Sequence, residues 1–271
     1  MEDSPGDHES LIVEHGISFF IETENGNILF DTGQSDAFLY NAEFLNLSPQ
    51  DADAVVISHG HYDHSGGFAH LVEEWNSDLP IKLFVGNGFF TPKYSRRGEA
   101  LYFVGNRYSR ESLISRGVKV SELSSPATEI LPGVFVVTAF ERREALEVYN
   151  PRMVFVDGAK VSADELQDEV ALVLKAKDGI VLVLGCSHPG IINIINAVKE
   201  RFREPIVAMV GGTHLKEAQG ERLERAVDTI ASLENTIVGV SHCTGPEATK
   251  ILEERCTRFY RNNAGSTLII E

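Results

Sequence analysis

The sequence predicts an α/β protein, and three observations carry that prediction. Short apolar runs alternate with amphipathic stretches in both halves of the chain. Four of those runs end at a histidine, and the first of the four leads into Ser58-His59-Gly60-His61-Tyr62-Asp63-His64-Ser65-Gly66-Gly67. Alternating strands and helices argue for sheets covered by helices, and ligand sites in such architectures gather at the carboxyl ends of strands.

In chain order, Ile17 to Ile21 and Asn27 to Phe30 read as a hairpin around Glu24-Asn25-Gly26, its second strand leading into Asp31-Thr32-Gly33. A helix follows from Asp36 to Leu45. The continuous apolar run Ala54 to Ile57 is a strand that delivers the histidine-rich loop, and Gly66-Gly67 opens a helix through Trp75. Ile81 to Val85 is the next strand. Further strands are expected at Val118 to Leu123, Val134 to Thr138, Met153 to Val156, Glu169 to Ala176 and Ile180 to Leu184, the last two joined at Lys177-Asp178-Gly179. Helix and strand then alternate: helix Ile191 to Phe202, strand Ile206 to Val210, helix Glu221 to Leu233, strand Thr236 to Val240, helix Pro246 to Glu254. Thr267 to Ile270 closes the chain as a strand.

With 271 residues, 43% of them hydrophobic, one large domain over 1–271 can bury a substantial core. The formal net charge of −16 argues against nucleic acid and anionic membranes as partners, because phosphate would be repelled by most of the surface. Cys186, Cys243 and Cys256 fall in no paired spacing, and a reducing cytoplasm is the simplest home for them. The acidic opening Met1-Glu2-Asp3-Ser4-Pro5-Gly6-Asp7 precedes no apolar stretch, so neither a secretory signal nor a membrane span is expected.

The histidine-rich loop reads as a metal site. Imidazole nitrogen and carboxylate oxygen suit zinc, manganese or ferrous iron, and four such side chains in one turn would destabilise a fold unless a cation organised them. In extended chain His59 and His61 share a face and can take one ion, whereas Asp63 and His64, past the turn, can hold a second. Zinc is the expected metal, at two ions per chain. His188, His214 and His242 follow the later apolar runs, each among small residues that let the backbone approach an ion. His188 and His242 are expected ligands, and His214 is either a ligand or a substrate contact. His15 is placed near the mouth of the site, and His8 and His70 on the surface.

Between Phe89 and Arg116, Lys93, Arg96, Arg97, Arg107 and Arg110 interleave with Tyr94, Tyr102, Phe103 and Tyr108. This basic aromatic stretch is either a solvated helical insertion or subunit contact, as in a homodimer, or a lid over 89–116. A lid would hold a small anionic or aromatic substrate, with Arg96, Arg97 and Arg107 on its phosphate or carboxylate.

Asp31-Thr32-Gly33, the His-x-His-x-Asp-His loop and the isolated histidines in glycine-rich strand ends together resemble the metallo-β-lactamase superfamily. The resemblance implies an αββα sandwich of two mixed sheets with helices outside. It also implies a first ion on His59, His61 and His188 and a second on Asp63, His64 and His242. Glu14-His15-Gly16, Gly33-Gln34-Ser35, Gly185-Cys186-Ser187-His188-Pro189-Gly190 and Ser241-His242-Cys243-Thr244-Gly245 resemble a narrower branch. That branch contains the archaeal dihydropterin ribofuranosyl-aminobenzene phosphate synthase and many unassigned proteins described as metal-dependent hydrolases. Gly185-Cys186 stands where most members place a Gly-Asp with a metal-bridging aspartate. Either Cys186 is a ligand or near-ligand, or His188 fills that space; Asp31 is a further candidate ligand or supporting group. The resemblance also leads to the expectation that a first strand, which relatives carry before their Glu-His-Gly segment, is missing here, through either a misassigned coding start or a shortened sheet edge.

Two ions ~3.5–4 Å apart acidify a bridging water and polarise the bond under attack. The expected activity is therefore hydrolysis of an ester, lactone or phosphodiester, with Asp63 orienting the water or moving its proton. The alternative is a transferase joining a dihydropterin pyrophosphate to an aminobenzene ribosyl phosphate, and a third class is a diiron redox protein. Replacing His61 or Asp63 with alanine should abolish one metal site and the activity together, whereas His70→Ala should change neither. Metal analysis with an activity assay checks this, and full activity in H61A or D63A would contradict the assignment.

Overall fold

Two apolar runs meeting across Glu24-Asn25 build the first hairpin, β1 (Phe19–Thr23) and β2 (Gly26–Phe30), with Phe19 opposite Phe30. The structure is a computed structural model that describes residues 1–6, 8–158 and 160–271; Asp7, within the acidic opening stretch, lies outside them. The first half continues with α1 (Ala37–Phe44), β3 (Ala54–Val56), α2 (Tyr62–Ser65), α3 (Phe68–Glu74) and β4 (Lys82–Gly86). It then runs through β5 (Lys93–Arg97), β6 (Ala100–Phe103), α4 (Arg110–Ser115) and β7 (Lys119–Leu123). The second half holds β8 (Ala127–Leu131), β9 (Val134–Val137), β10 (Met153–Asp157), β11 (Lys160–Ala163), β12 (Ala171–Ala176) and β13 (Gly179–Leu184). It closes with α5 (Ile191–Phe202), β14 (Ile206–Gly212), α6 (Gly220–Ala231), β15 (Ile237–Ser241), α7 (Pro246–Arg255) and β16 (Arg258–Phe259).

These strands form a five-stranded sheet ordered β1-β2-β3-β4-β7 and a seven-stranded sheet ordered β16-β15-β14-β13-β12-β9-β8. Both are mixed: β2, β3, β4 and β7 run parallel, as do β13 to β16, whereas β1 pairs antiparallel with β2, and β12, β9 and the edge strand β8 pair antiparallel in the larger sheet. Side chains alternate faces along a strand, and the core divides accordingly. Ile28, Phe30, Val56, Leu172, Leu174 and Val183 pack between the sheets. Leu29, Val55 and Leu83 face outward under α1 and α3. Val173, Leu182 and Leu184 face outward under α5, α6 and α7. This is the αββα sandwich.

The expected elements differ from the observed ones where sequence periodicity carries little information. Gly66-Gly67 interrupts a helix already begun at Tyr62 instead of opening one. A Cβ on Gly67 would lie 2.2 Å from the Thr32 carbonyl, so the glycine pair lets the exit of β2 pass. The four residues of β11 are all exposed and offer no apolar face to read. Thr267 to Ile270, expected as a closing strand, joins no sheet: Leu268 packs on the inter-sheet core and Ile269 is exposed, an alternation without a strand edge to pair with.

The stretch 89–116 is not a helical insertion. It forms the β5–β6 hairpin, which joins β10 and β11 in a separate four-stranded sheet, followed by short α4. Lys93, read from sequence as one cation of a stretch that is either solvated, a subunit contact or a lid, is 1% exposed, and its Nζ lies 2.9 Å from Asp168 Oδ1 and 3.4 Å from Asp164 Oδ2. Asp168 Oδ2 in turn accepts the Gly60 N–H at 2.8 Å, so this buried ion pair ties the hairpin to the histidine-rich loop. Lys93→Met should destabilise the protein by ~3–5 kcal/mol, because two buried carboxylates would lose their cation. Urea unfolding measures this, and a loss within ~0.5 kcal/mol, the ordinary range for surface substitutions, would contradict it.

Candidate metal centre

The carboxyl ends of three strands, β3, β13 and β15, converge on the centre. The turn after β3 is pinned by Tyr62 N–H on the Val104 carbonyl and by the Ser58 N–H on Asp31 Oδ1 at 2.6 Å. It aims His59 and His61 inward, and α2, starting at once, carries Asp63 and His64 on its first turn. His188 follows β13 in a turn whose three consecutive N–H groups, of Cys186, Ser187 and His188, are all accepted by the Glu169 carboxylate. That turn lies against the loop so closely that a Cβ on Gly185 would meet Ser58 Oγ at 2.1 Å. His242 follows β15 with φ 52°, a left-handed conformation uncommon for histidine.

His59 Nε2 lies 2.9 Å from His61 Nδ1 and 3.2 Å from His188 Nε2. The three ring planes stand at 79–86° to one another. Burial, then the neighbouring imidazoles, holds His59 and His188 well below the usual histidine range, and burial brings His61 down to about 3. These are neutral rings, with the His61 and His188 nitrogens both beside His59 Nε2. His61, unlike the other two, joins none of the groups of mutually close ligand atoms among the described residues. Tetrahedral zinc–nitrogen bonds of ~2.0–2.1 Å require nitrogens ~3.3 Å apart, so the donor set fits a divalent ion.

A second group gathers Asp63, His64, Cys186 and His242, whose ligand atoms all lie within 4.8 Å of one another, and Cys186 also groups with His59 and His188. His64 Nε2 is 3.1 Å from Cys186 Sγ and 3.6 Å from Asp63 Oδ2, and His242 Nε2 is 3.4 Å from Asp63 Oδ2. Burial opposes ionisation of Asp63, but His64, His242 and His61 outweigh it and hold the carboxyl far below its usual range. Burial, followed by Cys243 and the carboxylates Asp63 and Glu169, pushes the Cys186 thiol well up. Its ionised form therefore needs a cation beside it.

The outer ring nitrogens are held by partners that fix ring orientation. His64 Nδ1 lies 2.7 Å from Asp31 Oδ2, His59 Nδ1 2.9 Å from Ser58 Oγ, and His242 Nδ1 2.7 Å from Asp3 Oδ1. His61 differs: its Nε2 is buried with no hydrogen-bond partner among the described residues. Asp31, offered from sequence as ligand or support, sits behind His64 in none of the ligand groups. His214 stacks on His188 with ring centroids 4.4 Å apart and also joins none of them.

His15 lies at the mouth, 45% exposed, with Nδ1 2.8 Å from Asp3 and Nε2 3.3 Å from Asp63. Arg96, Arg97 and Arg107 are exposed on or beside the hairpin, and the Arg97 guanidinium lies 5.3 Å over the Tyr102 ring. Arg110 pairs with Glu122. His8 is exposed and His70 half-buried on α3. Sequence reasoning missed Glu169, Asp168, Ser58, Asp3 and also Glu2, whose Oε1 accepts the His242 N–H at 2.9 Å. The first two carried a readable signal: an Asp-Glu pair flush against the apolar run Val170 to Leu174 is seldom solvated.

Comparison with known proteins bears on this arrangement. A family model described as the metallo-β-lactamase superfamily matches residues 12–80. The 7,8-dihydropterin-6-methyl-4-(β-D-ribofuranosyl)-aminobenzene-5′-phosphate synthase of Methanocaldococcus jannaschii is 29% identical over 278 residues, covering 98% of this chain and 94% of its own. A second, uncharacterized protein of that organism is 31% identical over 247 residues, covering 89% and 88%. The crystal structure of a metal-dependent hydrolase of the β-lactamase superfamily superposes with a TM-score of 0.83 at 30% identity, covering 100% of this chain and 97% of that one.

Hydrogen bonds to Asp3 and Asp63 outweigh burial and raise the pKa of His242. A cation arriving at Nε2 must displace that proton, so zinc binding should release protons, and its affinity should fall as pH drops from roughly 8 to 6. Zinc titrations in weakly buffered indicator dye measure both; an affinity flat across that interval would contradict the reading.

Proposed function

Because the chain belongs to the metallo-β-lactamase superfamily, an enzyme superfamily with divalent-metal sites, we propose that it is a dinuclear metal-dependent hydrolase of a small ester, lactone or phosphodiester. The observation that supports this most is the division of six buried or half-buried ligand-type side chains into two groups that share Cys186, with His61 Nδ1 lying 2.9 Å from His59 Nε2 beside one of them. In this reading His59, His61 and His188 hold one ion, and Asp63, His64 and His242 the other. Such ions, when bound, lower the pKa of water and polarise the bond to be cleaved.

The chain's own residues supply the rest. Asp63, kept ionised by its histidine neighbours, orients the attacking group and is too weak a base to take its proton. His15 suits that task better: Asp3 raises its pKa, its Nε2 touches Asp63, and its exposed edge reaches solvent. Proton transfer of this kind is most effective from a group that titrates near the working pH. The Lys93–Asp168 pair keeps the loop backbone in place through Gly60.

A second reading, group transfer between a dihydropterin pyrophosphate and an aminobenzene ribosyl phosphate, is favoured by similarity to the synthase along 98% of the chain. The basic stretch supports it less than its composition suggests, since Lys93 and Arg110 are engaged with Asp164, Asp168 and Glu122. The metal-loaded protein should cleave bis-p-nitrophenyl phosphate or a member of a lactone panel. His61→Ala should lose more than the ~10–100-fold that a supporting partner alone accounts for. Pyrophosphate release only in the presence of the aminobenzene acceptor, with no ester or lactone cleavage, would replace the hydrolase with the transferase.

A further inference from the structure

Among the described residues, Cys186 is the side chain common to the Asp63–His64–His242 group and the His59–His188 group. It is 4% exposed, and its backbone is immobilised: the Glu169 carboxylate accepts its N–H and those of the next two residues, and its carbonyl faces the Cys243 thiol at 3.5 Å. Its Sγ lies 3.1 Å from His64 Nε2, a nitrogen already committed to the second group. A sulfur so placed is either a weak hydrogen-bond donor, to His64 or to the Cys243 sulfur, or a thiolate ligand. Geometry decides between them. The donor role would use only His64 and the Cys243 sulfur, yet Sγ also lies within 4.8 Å of ligand atoms of His59 and His188 on one side and Asp63 and His242 on the other.

We propose that Cys186, as a thiolate, is a ligand shared by both ions, and that its softness selects zinc or ferrous iron over manganese and magnesium. The proposal rests on the two-ion reading above. It converts a nitrogen–oxygen donor set, which hard and borderline ions can all use, into one that favours borderline and softer ions. Binding moves the Cys186 proton to solvent and forms a metal–sulfur bond; no oxidant or second reactant is needed. Cys243 provides the internal contrast. Its Sγ accepts the His214 N–H at 3.3 Å and lies against Gly212, in neither ligand group.

Thiolate bonded to cobalt(II) absorbs in the near ultraviolet by charge transfer from sulfur, whereas imidazole and carboxylate ligands do not. The full-length protein loaded with cobalt(II) chloride should bind two ions per chain and show this band. The band should vanish in Cys186→Ser with cobalt still bound, and persist in Cys243→Ser and Cys256→Ser. Cobalt bound without the band, or a band that survives C186S or disappears in C243S, would overturn the proposal while leaving the two-ion reading intact. No cobalt bound to the unaltered protein would overturn both. Should C186S fail to fold, Cys186→Asp restores a ligand of similar reach. It should bind cobalt without the band and narrow the preference for zinc over manganese by at least ~10-fold; an unchanged preference would also overturn the proposal.

Discussion

Neutral imidazoles, an ionised carboxylate and a thiol are buried together at one edge of the sandwich, and the surrounding structure follows from that constraint. Such groups resist burial unless each is partnered. The outer nitrogens of His59, His64 and His242 are accordingly engaged by Ser58, Asp31 and Asp3, which turns their inner nitrogens toward one another. The lowered pKa values of His59, His61 and His188 follow from the same crowding. A divalent ion relieves it by accepting the lone pairs that protons cannot occupy.

Two buried carboxylates side by side in sequence connect the fold to this cluster. Asp168 holds Gly60 and Lys93, fixing the loop that carries His59 and His61 and the hairpin that lies beside it. Glu169 holds the turn from Cys186 to His188. The positions of both metal-facing turns thus depend on the segment entering β12, a central strand of the larger sheet. Mutual positioning to within a fraction of an ångström is what a site of this kind requires, and rigid elements supply it better than free loops.

Much of this was legible in the sequence, for reasons that differ by element. Buried parallel strands such as Ala54 to Val56 and Ile206 to Gly212 are continuous apolar runs, and α5 appears where its periodicity places it. His59, His61, Asp63 and His64 announce themselves by density alone, and His188 and His242 by following apolar runs. The edge strands β8 and β11 bury too little to leave a pattern, and Thr267 to Ile270 alternates like a strand without having a partner. Lys93 was misread because a cation among arginines reads as surface; nothing local reveals that Asp164 and Asp168, more than 70 residues away, enclose it. Asp3 was hidden the same way, since its contact with His242 spans 239 residues.

The central claim is that one edge of the sandwich holds two divalent ions on these side chains. Anomalous diffraction from crystals grown with zinc, recorded on both sides of the zinc edge, tests it most directly. The account predicts two peaks ~3.5–4 Å apart, one within bonding distance of His59, His61 and His188 and the other of Asp63, His64 and His242. No peak at this edge, or zinc bound only elsewhere on the surface, would contradict it.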